Sequence, residues 1–225
     1  MKLVCISDIH NKHKTITMPD GDVAICTGDI SSRGYWHELK SFVKWFGALP
    51  HKKKILVCGN HDIGAEVEFK EEFVELCEEN GVILLNDSGV EIDGVKFWGS
   101  PVTPRFGYGW AWNRDVEDNR TKSEIANYMP NNPIQKHWDL IPNDTNVLLT
   151  HGPPRGILDL CFYGGDRAGC PRLLDKVLEI KPKVHVFGHI HEQYGLDTFE
   201  GTAFVNASIC TLQYTPNNKP IVVEI

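Results

Sequence analysis

The sequence predicts an α/β fold built on a largely parallel sheet, on three observations. Five short apolar runs rich in β-branched residues read as strands buried on both faces. Two of the first three are followed by segments of helical period, and strand-then-helix alternation implies parallel pairing. Each run also stops at a polar residue able to bind a metal.

The elements follow in order. Leu3 to Ser7 leads into Asp8 and His10, and Val23 to Gly28 leads into Asp29. From Tyr35 to Phe46, Leu39, Phe42, Val43 and Phe46 recur at helical spacing, and Gly47 with Pro50 ends the segment. Ile55 to Gly59 leads into Asn60, His61 and Asp62, and Phe69 to Glu79 repeats the helical pattern. Val82 to Leu85 and Val95 to Trp98 read as short strands in hairpin geometry, with turn residues Asn86 to Gly89 and Asp93-Gly94 beside them. Pro101 to Pro133 has no clean periodicity and reads as a surface excursion with a helix around Thr121 to Tyr128. Val147 to Thr150 leads into His151, Leu173 to Ile180 reads as a helix, and Val184 to Gly188 leads into His189 and His191. Thr202 to Ile209 and Pro220 to Ile225 close the chain as strands. The expected result is two sheets face to face in one domain, 1–225.

Bulk properties narrow the class. The 225 residues are 41% hydrophobic and 24% charged, ordinary for a globular chain with one large core. A net charge of -7 offers no general attraction to a phosphate backbone, so a long nucleic acid is not expected as partner. Small anions stay open, because a metal site inverts the local charge. Seven cysteines include no C-x-x-C pair, and Cys5, Cys26 and Cys58 sit inside buried runs, which points to reduced thiols and a cytoplasmic location. No run approaches a membrane span, so a soluble, unexported protein is expected.

In buried parallel sheets ligands gather outside the carboxyl ends of the strands, so the five ends can meet in one place. The side chains there include two aspartates, four histidines and one asparagine amide. That set is too rich for one structural zinc, which takes four ligands and is usually cysteine-based. It suits two divalent ions sharing a carboxylate, with manganese, iron, cobalt, nickel and zinc all compatible. Such a pair, roughly 3.5–4 Å apart, lowers the pKa of a shared water and clamps phosphoryl oxygens, so phosphoester hydrolysis is the natural reaction.

Asp8-Ile9-His10, Gly28-Asp29, Gly59-Asn60-His61-Asp62, Thr150-His151-Gly152 and Gly188-His189-Ile190-His191 resemble, in order, the five motifs of the calcineurin-like metallophosphoesterase superfamily. The resemblance implies that Asp8, His10 and His191 hold one metal, that Asn60, His151 and His189 hold the other, and that Asp29 bridges them. It implies a four-layer αββα sandwich, two mixed sheets flanked by helices, with the site at the strand carboxyl ends. His61 matches the family's non-ligand histidine, which contacts phosphate and protonates the leaving oxygen, with Asp62 as a candidate to orient it. Ser32 stands where the protein serine/threonine phosphatases carry a second acid.

Connecting segments carry a narrower resemblance. Met18-Pro19, Trp98 to Pro101, Tyr108 to Asn113, His151 to Pro154, Gly188 to Glu192 and Asn206 to Ser208 are similar to the small metallophosphoesterase-domain proteins first known from fetal brain. Those are cyclic nucleotide phosphodiesterases, with 2′,3′-cyclic nucleotides among their substrates. The expected activity is therefore hydrolysis of small phosphodiesters through a metal-bridging hydroxide. The alternatives are a phosphomonoesterase or protein phosphatase on the same fold, or a catalytically weak scaffold. Tyr108, Trp110 and Trp112 are candidates to stack a base, against the commoner use of aromatic residues as core filling, and Asn60 is a candidate phosphate contact. Arg33, Arg105 and Arg155 are weaker candidates. His185 reads as structural, His13, His37, His51 and His137 as solvated, and the acidic stretch Glu66 to Glu79 as the wet face of a helix.

Overall fold

Which face each strand residue turns to is decided by the period-2 alternation of the apolar runs, and three separate cores result. The computed structural model describes residues 1–116, 133–162 and 164–225. One sheet contains β1 (Lys2–Ile6), β2 (Val23–Cys26), β3 (Lys53–Leu56), β4 (Val82–Leu84) and β13 (Ile221–Glu224), in the order β13-β1-β2-β3-β4. Strands β1 to β4 run parallel, and β13 is antiparallel to β1. The other contains β5 (Ser88–Ile92), β6 (Val95–Ser100), β9 (Val147–Thr150), β10 (Val184–Phe187), β11 (Gly195–Phe199) and β12 (Thr202–Asn206), in the order β11-β12-β10-β9-β6-β5. Its middle strands are parallel and both edges antiparallel. A two-residue ladder joins β7 (Thr103–Pro104) to β8 (Asn113–Arg114).

Leu3, Cys5, Val23 and Ile25 meet Val147, Leu149, Val184 and Val186 between the sheets. The opposite face of the first sheet, with Ile6, Cys26 and Leu56, packs under α1 (Trp36–Gly47) and α3 (Lys70–Glu79) through Phe42, Phe46 and Phe73. The outer face of the second, with Leu148, Phe187 and Phe204, packs under α4 (Gln135–Trp138) and α5 (Pro171–Ile180) through Trp138, Leu173 and Val177. This is the four-layer αββα arrangement with two mixed sheets. A short α2 (Ile63–Glu66) follows β3. At the start of α1 the Glu38 carboxylate accepts the backbone N–H of Tyr35 and Arg33, satisfying donors that the first turn leaves free. Among the described residues no helix is long and apolar enough to cross a membrane.

Several expectations need correction. Val82–Leu84 does not turn into a hairpin: α3 is a crossover that returns β4 parallel to β3 in the first sheet. The hairpin is β5 with β6, turned by Asp93 and Gly94 at φ 50° and 78°, the left-handed pair of a type I′ turn. Strand β5 leaves little apolar signal in the sequence because Gly89 and Glu91 are exposed, and β11 is exposed from Leu196 to Phe199. The helix expected around Thr121 to Tyr128 lies outside the described residues. His13, His51 and His137 are buried rather than solvated: each finds a partner, in the Ser41 hydroxyl, the Pro19 carbonyl and the Asp87 carboxylate. Glu66 is half-buried, taking the Trp112 N–H and an Arg114 ion pair. All seven cysteines are free thiols.

His185, wholly buried in β10, shares a hydrogen bond of 2.8 Å with the Thr150 hydroxyl and lies edge-on to Phe187. Burial pushes its pKa down to about 3. A histidine depressed in the folded state adds stability above its unfolded pKa and loses it as pH falls toward the folded value. Wild type should therefore lose about 2 kcal/mol more than His185→Gln between pH 7 and pH 5. Urea unfolding of both proteins at the two pH values measures this, and identical losses would show that His185 does not stay neutral.

Candidate metal centre

The carboxyl ends of β1, β2, β3, β9 and β10 meet where the two sheets join. Ser7 N–H donates to Ala207 and Ile209 N–H to Ser7, tying the end of β1 to the segment after β12, and Gly188 N–H donates to the His151 carbonyl. Here the chain turns sharply: Asp8, Asp29 and His189 hold left-handed backbone at φ 53°, 51° and 69°. Aspartate and histidine are among the few non-glycine residues that enter that region, and such strain gathers at functional sites. Glycines before the turns are required by space. A Cβ on Gly28 would lie 2.6 Å from His151 Nδ1, and one on Gly59 or Gly188 would overlap the carboxylate of Asp29 or Asp8.

Three groups of ligand-type atoms result: Asp8, His10 and His191; Asp29, His151 and His189; and His10, Asp29 and His61, the last drawing on both of the others. In the first, His191 Nε2 is 3.2 Å from Asp8 Oδ1 and 3.3 Å from His10 Nε2. In the second, His151 Nε2 is 3.4 Å from Asp29 Oδ1 and 2.9 Å from Asn60 Oδ1. The other oxygen of Asp29 faces the first group, 3.8 Å from His10 Nε2. Backbone carbonyls of Ser31, Thr27 and Thr211 accept from Nδ1–H of His10, His151 and His191 in the tautomer that leaves each Nε2 lone pair turned inward. The Asp8 carboxylate is itself held by the His189 N–H and the Ser208 hydroxyl.

The electrostatics fit a cation site. Burial opposes charge on His151 and His191, yet the carboxylates of Asp29 and Asp8 outweigh it and push both up to about 9. Burial likewise opposes charge on Asp8 and Asp29, and the surrounding imidazoles hold both below the usual carboxylate range. Desolvation drives His10 down to about 4 and His189 to about 3. Buried carboxylates that hold protons on buried imidazoles mark a site short of positive charge, which divalent ions would supply. The mixed carboxylate, imidazole and amide set suits such ions and lacks the thiolates of a structural zinc site.

His61 is not in the hydrogen-bonded ligand cage. Its Nδ1 lies 2.8 Å from the Ser32 carbonyl and its Nε2 4.0 Å from Asp29 Oδ2. Ser32 thus supports the imidazole through its backbone, although its side chain carries no acid. Asp62 departs from expectation in a different way. It neither touches the His61 ring nor caps α2 with its side chain; its buried carboxylate accepts from Gly59 N–H, Ser31 N–H and the Ser31 hydroxyl. It pins the Asp29 loop to the Asn60 loop, so it positions the ligand-bearing loops where orienting the His61 ring was expected.

The aromatic trio separates. Trp110 lies 4.4 Å from the His61 ring and lines a cavity of about 210 Å³ over the histidines. Tyr108 is 97% exposed and does not line that cavity. Trp112 is corrected to a core residue: it is 6% exposed and packs under the helices, with its backbone in the left-handed region at φ 57°. Three lining residues escaped sequence reasoning. Phe106 packs against His189, Tyr214 lies edge-on to His10, and Leu212 is beside it. No motif surrounds them; for Tyr214 the only local signal is its place in the Gly/Pro/Asn-like turn region after the last long apolar run. Of the candidate arginines, Arg33 sits over the Trp110 ring at 5.3 Å, Arg105 pairs with Asp115, and Arg155 donates to the Arg167 carbonyl.

Comparison with known proteins gives one family. A family model described as calcineurin-like phosphoesterase matches residues 1–193. A human protein named metallophosphoesterase domain-containing protein 1 is 37% identical over 246 aligned residues, covering 100% of this chain and 71% of that protein. A Caenorhabditis elegans UPF0046 protein is 38% identical, covering 100% of this chain and 75% of that protein. A crystal structure of a Thermus thermophilus protein superposes with a TM-score of 0.55 at 14% identity, over 91% of this chain and 88% of that one, a likeness of fold.

Ser208 tests the support of the first ligand group. Ser208→Ala removes the hydroxyl held 2.8 Å from Asp8 Oδ2. Loss of such an outer partner costs about 10–100-fold in metal affinity. Calorimetric titration with Mn(II) measures it, and unchanged affinity would show that Asp8 needs no support from Ser208.

Proposed function

The chain belongs to the calcineurin-like phosphoesterase family, and from that premise we propose that it is a metal-dependent phosphodiesterase of small phosphodiesters, 2′,3′-cyclic nucleotides among them. In this reading Asp8, His10 and His191 hold one divalent ion, Asn60, His151 and His189 a second, and Asp29 lies between, with manganese the first choice of metal. Bound ions would supply Lewis acidity to the phosphoryl oxygens and lower the pKa of water.

The observation that carries the choice of diester is the wall of the cavity. Its lining is Asp29, Asn60 and histidines below, with Phe106, Trp110, Leu212 and Tyr214 above, and no described lining residue is lysine or arginine. A monoester dianion is best held by a cationic fork that accepts two charges. A diester carries one charge and two organic arms, which apolar walls can cover. His61, with Nδ1–H donated to Ser32, presents Nε2 for transfer of a proton to the departing oxygen. Trp110 and Tyr214 hold that imidazole from two sides. Free, mostly buried thiols favour the cytoplasm as the place of action.

Two measurements test this. Metal-loaded protein should hydrolyse bis-p-nitrophenyl phosphate and 2′,3′-cyclic nucleotides faster than p-nitrophenyl phosphate, and exclusive activity on the monoester would overturn the diesterase reading. His61→Ala should lower kcat on cyclic nucleotides about 10²–10⁴-fold with metal content intact. The loss should be smaller on bis-p-nitrophenyl phosphate, whose leaving group needs no proton; equal, unchanged turnover on both would remove His61 from proton transfer.

A further inference from the structure

A second cavity, of about 750 Å³, shares no lining residue with the one over the histidines. It opens beside β4, the edge strand of the first sheet, and runs under α3. Its volume lies within the roughly 300–1,000 Å³ that small-molecule sites occupy. Phe73, Cys77, Leu84 and Trp112 give it an apolar floor.

The rim has the opposite character. Lys52, Lys53, Lys54 and Lys70 line it against a single carboxylate, Glu78, in a chain whose net charge is -7. Lys52 is engaged by Asp22 at 3.4 Å, whereas Lys53 and Lys70 have no carboxylate partner among the described residues. An apolar floor beneath a cationic rim is complementary to an amphipathic anion. We propose that this cavity is a binding site for a small amphipathic anion, an alkyl chain ending in a carboxylate, with the chain over Phe73 and Trp112 and the head group among the lysines.

Titration calorimetry of the metal-loaded protein with decanoate, kept below micellar concentration, tests it. One saturable site is expected. Lys53→Glu with Lys70→Glu should weaken it at least tenfold, and decanol should bind the wild type at least tenfold more weakly than decanoate. Val74 lines the cavity and is 40% exposed, so Val74→Trp fills the mouth without disturbing the core and should abolish binding. The absence of a saturable site in the wild type would overturn the proposal. So would wild-type affinity in Val74→Trp, or equal affinity for decanoate, decanol and decyltrimethylammonium.

Discussion

The carboxylate of Asp29 is 2% exposed, with one oxygen 3.4 Å from His151 and the other 3.8 Å from His10. A second buried carboxylate, Asp8, serves the first ligand group. Taking two such charges out of water costs several kcal/mol each unless opposite charge is supplied. The imidazoles supply part of it as protons in the metal-free chain, and divalent ions would supply it more completely. The rest of this end of the molecule is organised to keep those carboxylates buried and aimed.

Backbone geometry does most of that work. Parallel strands β1, β2 and β3 bring three loops to one edge, and the chain takes left-handed turns at Asp8 and Asp29. The loops then pack so closely that only glycine fits at 28, 59 and 188. Asp62 closes the arrangement from below: one carboxylate takes donors from both the Gly59 and the Ser31 loops. Burial, with the charge of Asp29 next, raises its pKa to about 6, which reflects how tightly the two acids are confined. His61 sits beside the ligands with its Nδ1 on the Ser32 carbonyl and its ring between Trp110 and Tyr214.

Much of this was legible in the amino-acid order. Strand-terminal ligands could be found because a run such as Leu3 to Ser7 is too short and too β-branched to be a helix, and because Asp8 and His10 follow it without a break. Where one large core was expected there are three, since Cys5 and Ile6 face opposite sides of the same strand. What escaped had a physical cause. Asp62 joins a donor three residues back, Gly59 N–H, to the backbone and hydroxyl of Ser31, 31 positions away, a pairing with no local pattern. Trp112 carries the same composition signal as Trp110, two residues earlier, yet it packs in the core under the helices. Tyr214 reaches the histidines from the far end of the chain, and edge strands β5 and β11 have too little buried surface to leave an apolar alternation.

The central claim is that Asp29 lies between two ions close enough to share it. Electron paramagnetic resonance of the protein loaded with two equivalents of Mn(II) reads that directly. Sharing a carboxylate should give the multiline spectrum of an exchange-coupled pair, and Asp29→Ala should abolish the coupling. Two equivalents bound with the hyperfine pattern of isolated, uncoupled ions would contradict the account.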